Sequence, residues 1–237
     1  RFLRDVSYGC RRVFSADRWA LTGEAGVFLD PFYSPGSDFI AIANGYITEL
    51  VARDFAGGLQ ARDVRHFQQL FFSFYRNMLN LYRGQYAMFG DARVMSAKVL
   101  WDYAYYWGVL CPLVIGGRLT DLGLFADLQP ELAAAESLNV RMQAFFRDWH
   151  ARAGAGAAPA WMDQQELGWF ARLNARLHDS LDDAQVRARL REHVDLLHAL
   201  AAALAEDAAR EAPELAVESL CAIAGNRARP VLFRAAA

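Results

Sequence analysis

The chain has 237 residues, 54% of them hydrophobic and 22% charged, with a formal net charge of −2 at pH 7. That length supports one large domain or two small ones, and the composition excludes a disordered chain, a collagen-like repeat and a disulfide scaffold. A charge so near zero gives no electrostatic reason for a nucleic acid or an anionic membrane as partner.

Residues 6–13 and 18–23 read as short strands, with Ser15-Ala16-Asp17 as the turn between them. The run Trp19 to Thr22 has the pattern of a strand covered on both faces. A strand of that kind needs sheet neighbours, and nothing downstream reads as one. The chain opens at Arg1 rather than at a methionine. Together these predict that Arg1 is a truncation point and that the missing strands lie upstream or in a partner chain.

Pro35-Gly36 opens a helix in which Phe39, Ile40, Ala43, Ile47, Leu50 and Val51 recur at helical spacing, and Gly57-Gly58 closes it. From Ala61 the pattern stays helical. Val64, Phe67, Phe71, Phe74, Met78 and Leu81 form one stripe, ended by Gly84. Asp91 is placed to cap a helix running to about Leu110, before Pro112. The uncharged run Tyr103 to Gly117 falls short of the ~20 residues of a membrane span. It reads as a buried helix end followed by a turn. Pro130 is expected to begin a helix over 131–152, residues 153–160 a small-residue linker, Asp182-Asp183 a helix ending near Arg210, and Pro213 a last short helix to about Ala224.

Cys10, Cys111 and Cys221 are odd in number and too far apart for a zinc or CxxC motif, so they read as reduced thiols of a cytoplasmic protein. No metal site is expected. His66, His150, His178, His193 and His198 read as surface histidines, and the run Arg187, Arg189, Arg191 as a solvated face. Lys98 stands alone against 24 arginines and is assigned no catalytic role. The aromatic stripe from Phe67 to Trp107 reads first as core.

The segment most informative about chemistry is Gly23-Glu24-Ala25-Gly26-Val27-Phe28-Leu29-Asp30-Pro31-Phe32-Tyr33-Ser34-Pro35-Gly36-Ser37. It places a carboxylate after a strand end, then a tight loop, then a helix N-terminus. A carboxylate accepts hydrogen bonds from ligand hydroxyls, a helix N-terminus offers N–H donors and positive potential, and Gly36 lets a flat group approach the backbone. The alternative is a Gly/Pro loop that merely joins a strand to a helix.

This segment, GEAGVFLDPFYSPG, resembles the second flavin motif of FAD-dependent monooxygenases of the hydroxybenzoate-hydroxylase type, nearest to their flavin-dependent halogenase branch. The resemblance continues through Leu81-Tyr82-Arg83-Gly84-Gln85-Tyr86 and Val99-Leu100-Trp101-Asp102, over most of residues 1–150. It implies an isolated chain that is mainly α. Residues 1–58 would be the C-terminal remnant of an α/β, Rossmann-like FAD-binding domain, and 59–237 a helical cap or substrate domain. It implies cofactor contacts at Gly23, Glu24, Ala25, Pro31, Ser34, Pro35, Gly36 and Ser37, with Glu24 on the ribityl–phosphate part of FAD and the helix N-terminus at the flavin's pyrimidine edge. Tyr33, Trp101 and Tyr105 would form an aromatic wall for an aromatic or unsaturated small-molecule substrate. The catalytic residues stay unknown.

Several departures narrow the expectation. Halogenases of the tryptophan type carry a glutamate just before the motif's serine, where this chain has Tyr33. They bind halide through the two N–H groups after that serine, and Pro35 has none. The phosphate-gripping G-x-G-x-x-G and the halogenase W-x-W-x-I-P are absent from the sequence. The expectation is therefore the C-terminal part of an FAD-dependent oxidoreductase, more an oxygenase than a halogenase. Alone it would be inactive and would not hold FAD. It would be completed by an N-terminal FAD-binding half or a partner chain. The alternatives are an active flavin-dependent halogenase, and a non-catalytic helical interaction module that dimerises through residues 6–23.

Overall fold

The structure, a computed structural model, describes residues 6–153, 163–213 and 215. The described residues are mainly helical: α1 (Pro35–Phe55), α2 (Ala61–Tyr82), α3 (Ala92–Tyr105), α4 (Cys111–Ile115), α5 (Leu122–Ala153), α6 (Gly168–Ala175) and α7 (Asp183–Glu211). Strand structure among them is confined to β1 (Phe14–Ser15) and β2 (Trp19–Ala20), paired antiparallel with Phe14 opposite Ala20, and to one bridge joining Tyr8 and Phe28.

Local sequence explains most helix ends. Pro35 sits in the first turn of α1, where its missing N–H is not needed. Gly84, with φ of 70°, follows α2 in the left-handed conformation that glycine adopts freely. The Asp91 carboxylate accepts the Val94 N–H at the start of α3. Asp182 and Gln185 cap α7 reciprocally, each side chain meeting the other's backbone N–H, at 2.8 and 2.9 Å.

Four expectations are corrected. The two-residue strand Trp19–Ala20 is exposed, with Trp19 at 42%, so it is not a strand covered on both faces. Pro112 does not stop the helical path. The chain passes through a π turn at Tyr106–Leu110, closed by Cys111 N–H on the Tyr106 carbonyl, and continues as α4. An α-helical register would put Pro112 opposite the Gly108 carbonyl, and proline has no N–H to give it. Pro130 lies inside α5, which begins eight residues earlier at Leu122. Arg187 and Arg191 are not simply a solvated face: they reach Asp127 and Glu131 of α5, each at 2.7 Å. The expected linker at 153–160 lies outside the described residues apart from Ala153, and so do the expected helix after Pro213 and Cys221.

The described residues divide into two compact units. One holds those up to Arg83 with Leu119–Leu122, the other Gly84–Arg118 with those from Gly123 onward. The division falls after α2, and α2 packs with α1. The first unit has an aromatic core. Phe14 meets Tyr46 and Phe71 edge-on at 6.2 and 5.9 Å, and Tyr46 stacks on Phe67 at 5.0 Å. In the second unit Trp101 and Tyr105 of α3, Leu128, Met142 and Phe146 of α5, and Leu197, Leu200 and Leu204 of α7 share one continuous core. An α/β sheet of the expected kind is not seen among the described residues, and none of their helices is long and apolar enough to cross a membrane.

Candidate functional site

The segment from Thr22 to Ser37 folds back on the N-terminus of α1. Gly23 to Ala25 form a 3-10 turn, held by Ala25 N–H on the Thr22 carbonyl and by Gly26 and Val27 N–H on the Gly23 carbonyl. Gly23 has φ of 50°, and a Cβ built on it would stand 2.4 Å from Cγ1 of Ile40. Both facts require glycine at that position. The turn is tied to the preceding segment by paired backbone hydrogen bonds between Tyr8 and Phe28, and by the Tyr8 hydroxyl, which donates to the Glu24 carbonyl. Buried Val27 and Leu29 anchor it beneath.

This turn sets Glu24 over α1. The place a Cβ would take on Gly36 is 3.5 Å from Glu24 Oε1. An exposed carboxylate beside the first turn of a 21-residue helix lies where the helix dipole favours negative charge. Sequence reasoning joined these two features through a presumed ligand. The structure joins them directly, with the acid already at the helix end.

The loop that enters α1 is held in an unusual backbone conformation. Tyr33 and Ser34 both lie in the left-handed region, with φ of 64° and 53°, and neither is a glycine. Such residues cost of order 1–3 kcal/mol each and persist when their surroundings dictate them. Here Asp30 accepts the Phe32 N–H at 2.8 Å, Ser34 N–H donates to the Pro31 carbonyl at 3.0 Å, and the Tyr82 hydroxyl of α2 donates to the Phe32 carbonyl at 2.5 Å. The Tyr33 ring lies between Phe32 and Tyr82, at 4.2 and 6.3 Å. Tyr82→Phe is expected to destabilise the protein by about 1 kcal/mol and to speed amide exchange at residues 32–34, read by hydrogen–deuterium exchange. Unchanged exchange there would show that the tyrosine does not hold the loop.

Glu24, Ala25, Pro31, Ser34 and Ser37 are exposed, Gly36 is half-buried, and Gly23 and Pro35 are buried. The exposed ones among the expected cofactor-facing residues, with half-buried Gly36, form an accessible ridge ahead of and along the first turn of α1. Tyr33 is part of this loop in the first unit, whereas Trp101 and Tyr105 are within the core of the second, at 0% and 1% exposure. Trp101 donates to Asn139 at 2.9 Å. Burial, with Glu136 adding to it, pushes the Tyr105 hydroxyl well above its ordinary titration range, so it stays protonated.

Two polar features escaped sequence reasoning. Lys98 is buried on α3, in an ion pair with Asp102. The signal was its spacing, four residues after buried Val94 and three before buried Trp101. The histidines are also corrected. His66 and His178 are exposed, but His150 meets buried Asp91 at 2.9 Å, and His193 is 3% exposed. No cluster of residues among those described could hold a metal ion.

Known proteins add one likeness to this geometry. Over 113 residues the chain is 26% identical to a flavin-dependent halogenase of Dictyostelium discoideum, a match covering 47% of this chain and 19% of that protein. The chain thus spans about a fifth of the length of the curated relative it matches. No family model matches the chain, and no solved structure matches it.

Proposed function

We propose that this chain is part of an FAD-dependent oxidoreductase of the flavin-halogenase-like kind, and that the ridge around the α1 N-terminus borders the flavin. The observation that carries this reading is the joint placement of Glu24, half-buried Gly36 and the strained Tyr33–Ser34 entry at one accessible helix end. The likeness to a flavin-dependent halogenase points the same way.

The residues present fit a flavin in part. Glu24 can accept hydrogen bonds from ribityl hydroxyls. Gly36 leaves the backbone open beside Glu24, where a Cβ would meet only Glu24 Oε1 at 3.5 Å, and the α1 N-terminus favours negative charge on the ring edge. Gly23, Ala25, Pro31, Ser34, Pro35 and Ser37 shape that rim. When bound, the flavin supplies two-electron redox chemistry toward oxygen and an aromatic or unsaturated substrate. The sequence carries no G-x-G-x-x-G to hold the phosphates, so those contacts fall to another segment or chain.

In the protein made from the complete reading frame, Glu24→Ala is expected to weaken FAD binding about tenfold, one charge-assisted hydrogen bond's worth. Circular dichroism should stay unchanged. The present chain alone is expected to hold no FAD. Unaltered flavin affinity in the Glu24→Ala protein would sink the assignment of this ridge. With Tyr33 and Pro35 at the positions that a halogenase uses, the proposed chemistry is oxygenation. Halide-dependent chlorination of a phenol or an indole by the complete protein would overturn that part.

The first unit also favours a second reading. Tyr8, Trp19, Ile40 and Phe55 are exposed, Phe55 at 89%. Apolar exposure of this kind suits an interaction module. A chain whose full-length form shows no flavin dependence but self-associates, and becomes monomeric on Trp19→Ser, would follow this reading and not the first.

A further inference from the structure

His193 of α7 is 3% exposed and lies against the π turn at Tyr106–Leu110. Its Nδ1 is 2.7 Å from the Gly108 carbonyl oxygen, 85 residues away in the chain. That oxygen lacks its ordinary helical donor, because Pro112 has no N–H. The two segments come close there: a Cβ built on Gly108 would stand 3.5 Å from Cβ of His193. A carbonyl only accepts, so Nδ1 carries the proton and the neutral ring has its lone pair on Nε2. Nε2 is buried and has no hydrogen-bond partner among the described residues.

The neutral ring thus completes the π turn, and the imidazolium does not fit the same place. Its second N–H would be a buried donor without an acceptor, on a ring that also carries a charge. Burial accordingly pushes the His193 pKa below the ordinary histidine range. The Gly108 hydrogen bond and Glu192 oppose that shift, and Arg189 and Arg176 add to it.

The surrounding charges are already committed to one another. Glu192 pairs with Arg176 at 2.7 Å, and Arg189 with Asp179 at 2.9 Å. The π turn and α4 carry no charged residue. α3, which also packs on α7, brings Lys98 and Asp102, paired with each other. From α5, Asp127 and Glu131 hold Arg187 and Arg191, and Arg172 of α6 is exposed. His178 and Arg118 border a cleft of about 380 Å³ that His193 also lines, with Arg118 held by Asp183 at 2.9 Å. No carboxylate is left over to receive a new cation.

The least costly relief is local. The other walls of the cleft are short elements, α4 of five residues and the 3-10 turn Arg176–His178 of three. Parting the π turn from α7 gives the ring water without unfolding the core that the long helices share.

We propose that His193 is an acid-sensitive latch: its neutral ring locks the π turn to α7, and its protonation releases them and widens the cleft between them. The released ring binds the proton and the latched ring resists it. The latch is therefore fully closed above the ordinary histidine pKa of about 6.5 and weakens as pH falls below it. It is independent of the flavin reading, since every residue it uses lies in the second unit.

Amide hydrogen exchange of the whole chain, corrected for the intrinsic effect of pH, reads the opening at residues 106–115. In the parent, protection there is expected to fall about tenfold between roughly pH 7.5 and 5.5, one proton being taken up per opening. Leu138 and Met142, in the core of α5, should keep their protection over that range. His193→Asn keeps an N–H in place of Nδ1 and does not titrate, so its protection at 106–115 is expected to stay level. Should that variant fail to fold, nitrogen-15 signals of the parent's His193 ring decide. They are expected to pass from the neutral Nδ1–H form to the imidazolium over the pH range in which protection is lost. Protection at 106–115 that does not change with pH, or a fall that persists in His193→Asn, would overturn the latch. So would an equal loss at Leu138 and Met142, which would make the event global unfolding.

Discussion

Lys98→Met should destabilise the protein by about 3–5 kcal/mol, the usual consequence of removing one partner of a buried ion pair. Lys98 and Asp102 are 1% and 3% exposed and stand one turn apart on α3. Asp102 also accepts from Gln143 at 2.7 Å, and Gln143 in turn donates to Asn139 at 3.2 Å. With the ammonium gone, the carboxylate either stays charged without its cation or takes up a proton, and both are unfavourable in this core. Domains of ordinary stability have only about 5–15 kcal/mol in hand, so the effect is a large share of the whole. The double variant Lys98→Met/Asp102→Leu removes the stranded charge and is expected to recover most of the loss, since buried pairs are often replaceable by apolar residues of similar size. Urea midpoints of the three proteins check this. A single variant no less stable than the double would show that the pair is not acting as a buried ion pair.

Gly23→Val should lower stability by about 2–5 kcal/mol, combining the left-handed backbone penalty with overpacking. A β-branched residue at φ of 50° is a conformational outlier, and its Cβ would fall on Ile40 of α1. The turn cannot relax without moving Glu24, because Gly26 and Val27 hang from the Gly23 carbonyl. Under the proposed function the substitution is expected to remove flavin binding from the complete protein altogether, a larger effect than that of Glu24→Ala. Flavin retention measured alongside urea unfolding separates the two consequences. A variant with full flavin retention and a midpoint within error of the parent would refute the role given to this turn.

Much of the fold was readable from residues acting near themselves in sequence. Pro35, Gly84, Asp91 and Asp182 mark helix ends because capping and glycine conformations are settled within one turn of chain. The apolar spacing of α2 located its buried face for the same reason: Phe67, Phe71 and Met78 are all in the core. The reading failed where a distant residue decides. Pro112 looked like a stop because the donor that satisfies Gly108 comes from His193, 85 residues away. His193 looked like a surface residue for the same reason. Trp19 looked buried because its pattern was apolar, whereas the hairpin places it outward.

The candidate site divides along the same line. A carboxylate after a glycine turn, a proline-led helix and an absent phosphate loop are matters of residue type and spacing, legible without coordinates. Contacts between distant segments place Glu24 over α1, hold Tyr33 and Ser34 in left-handed conformations against α2, and put Trp101 and Tyr105 in the core of the other unit. Long-range packing made those choices, and a local pattern carries no record of which distant side chain will supply a donor or fill a wall.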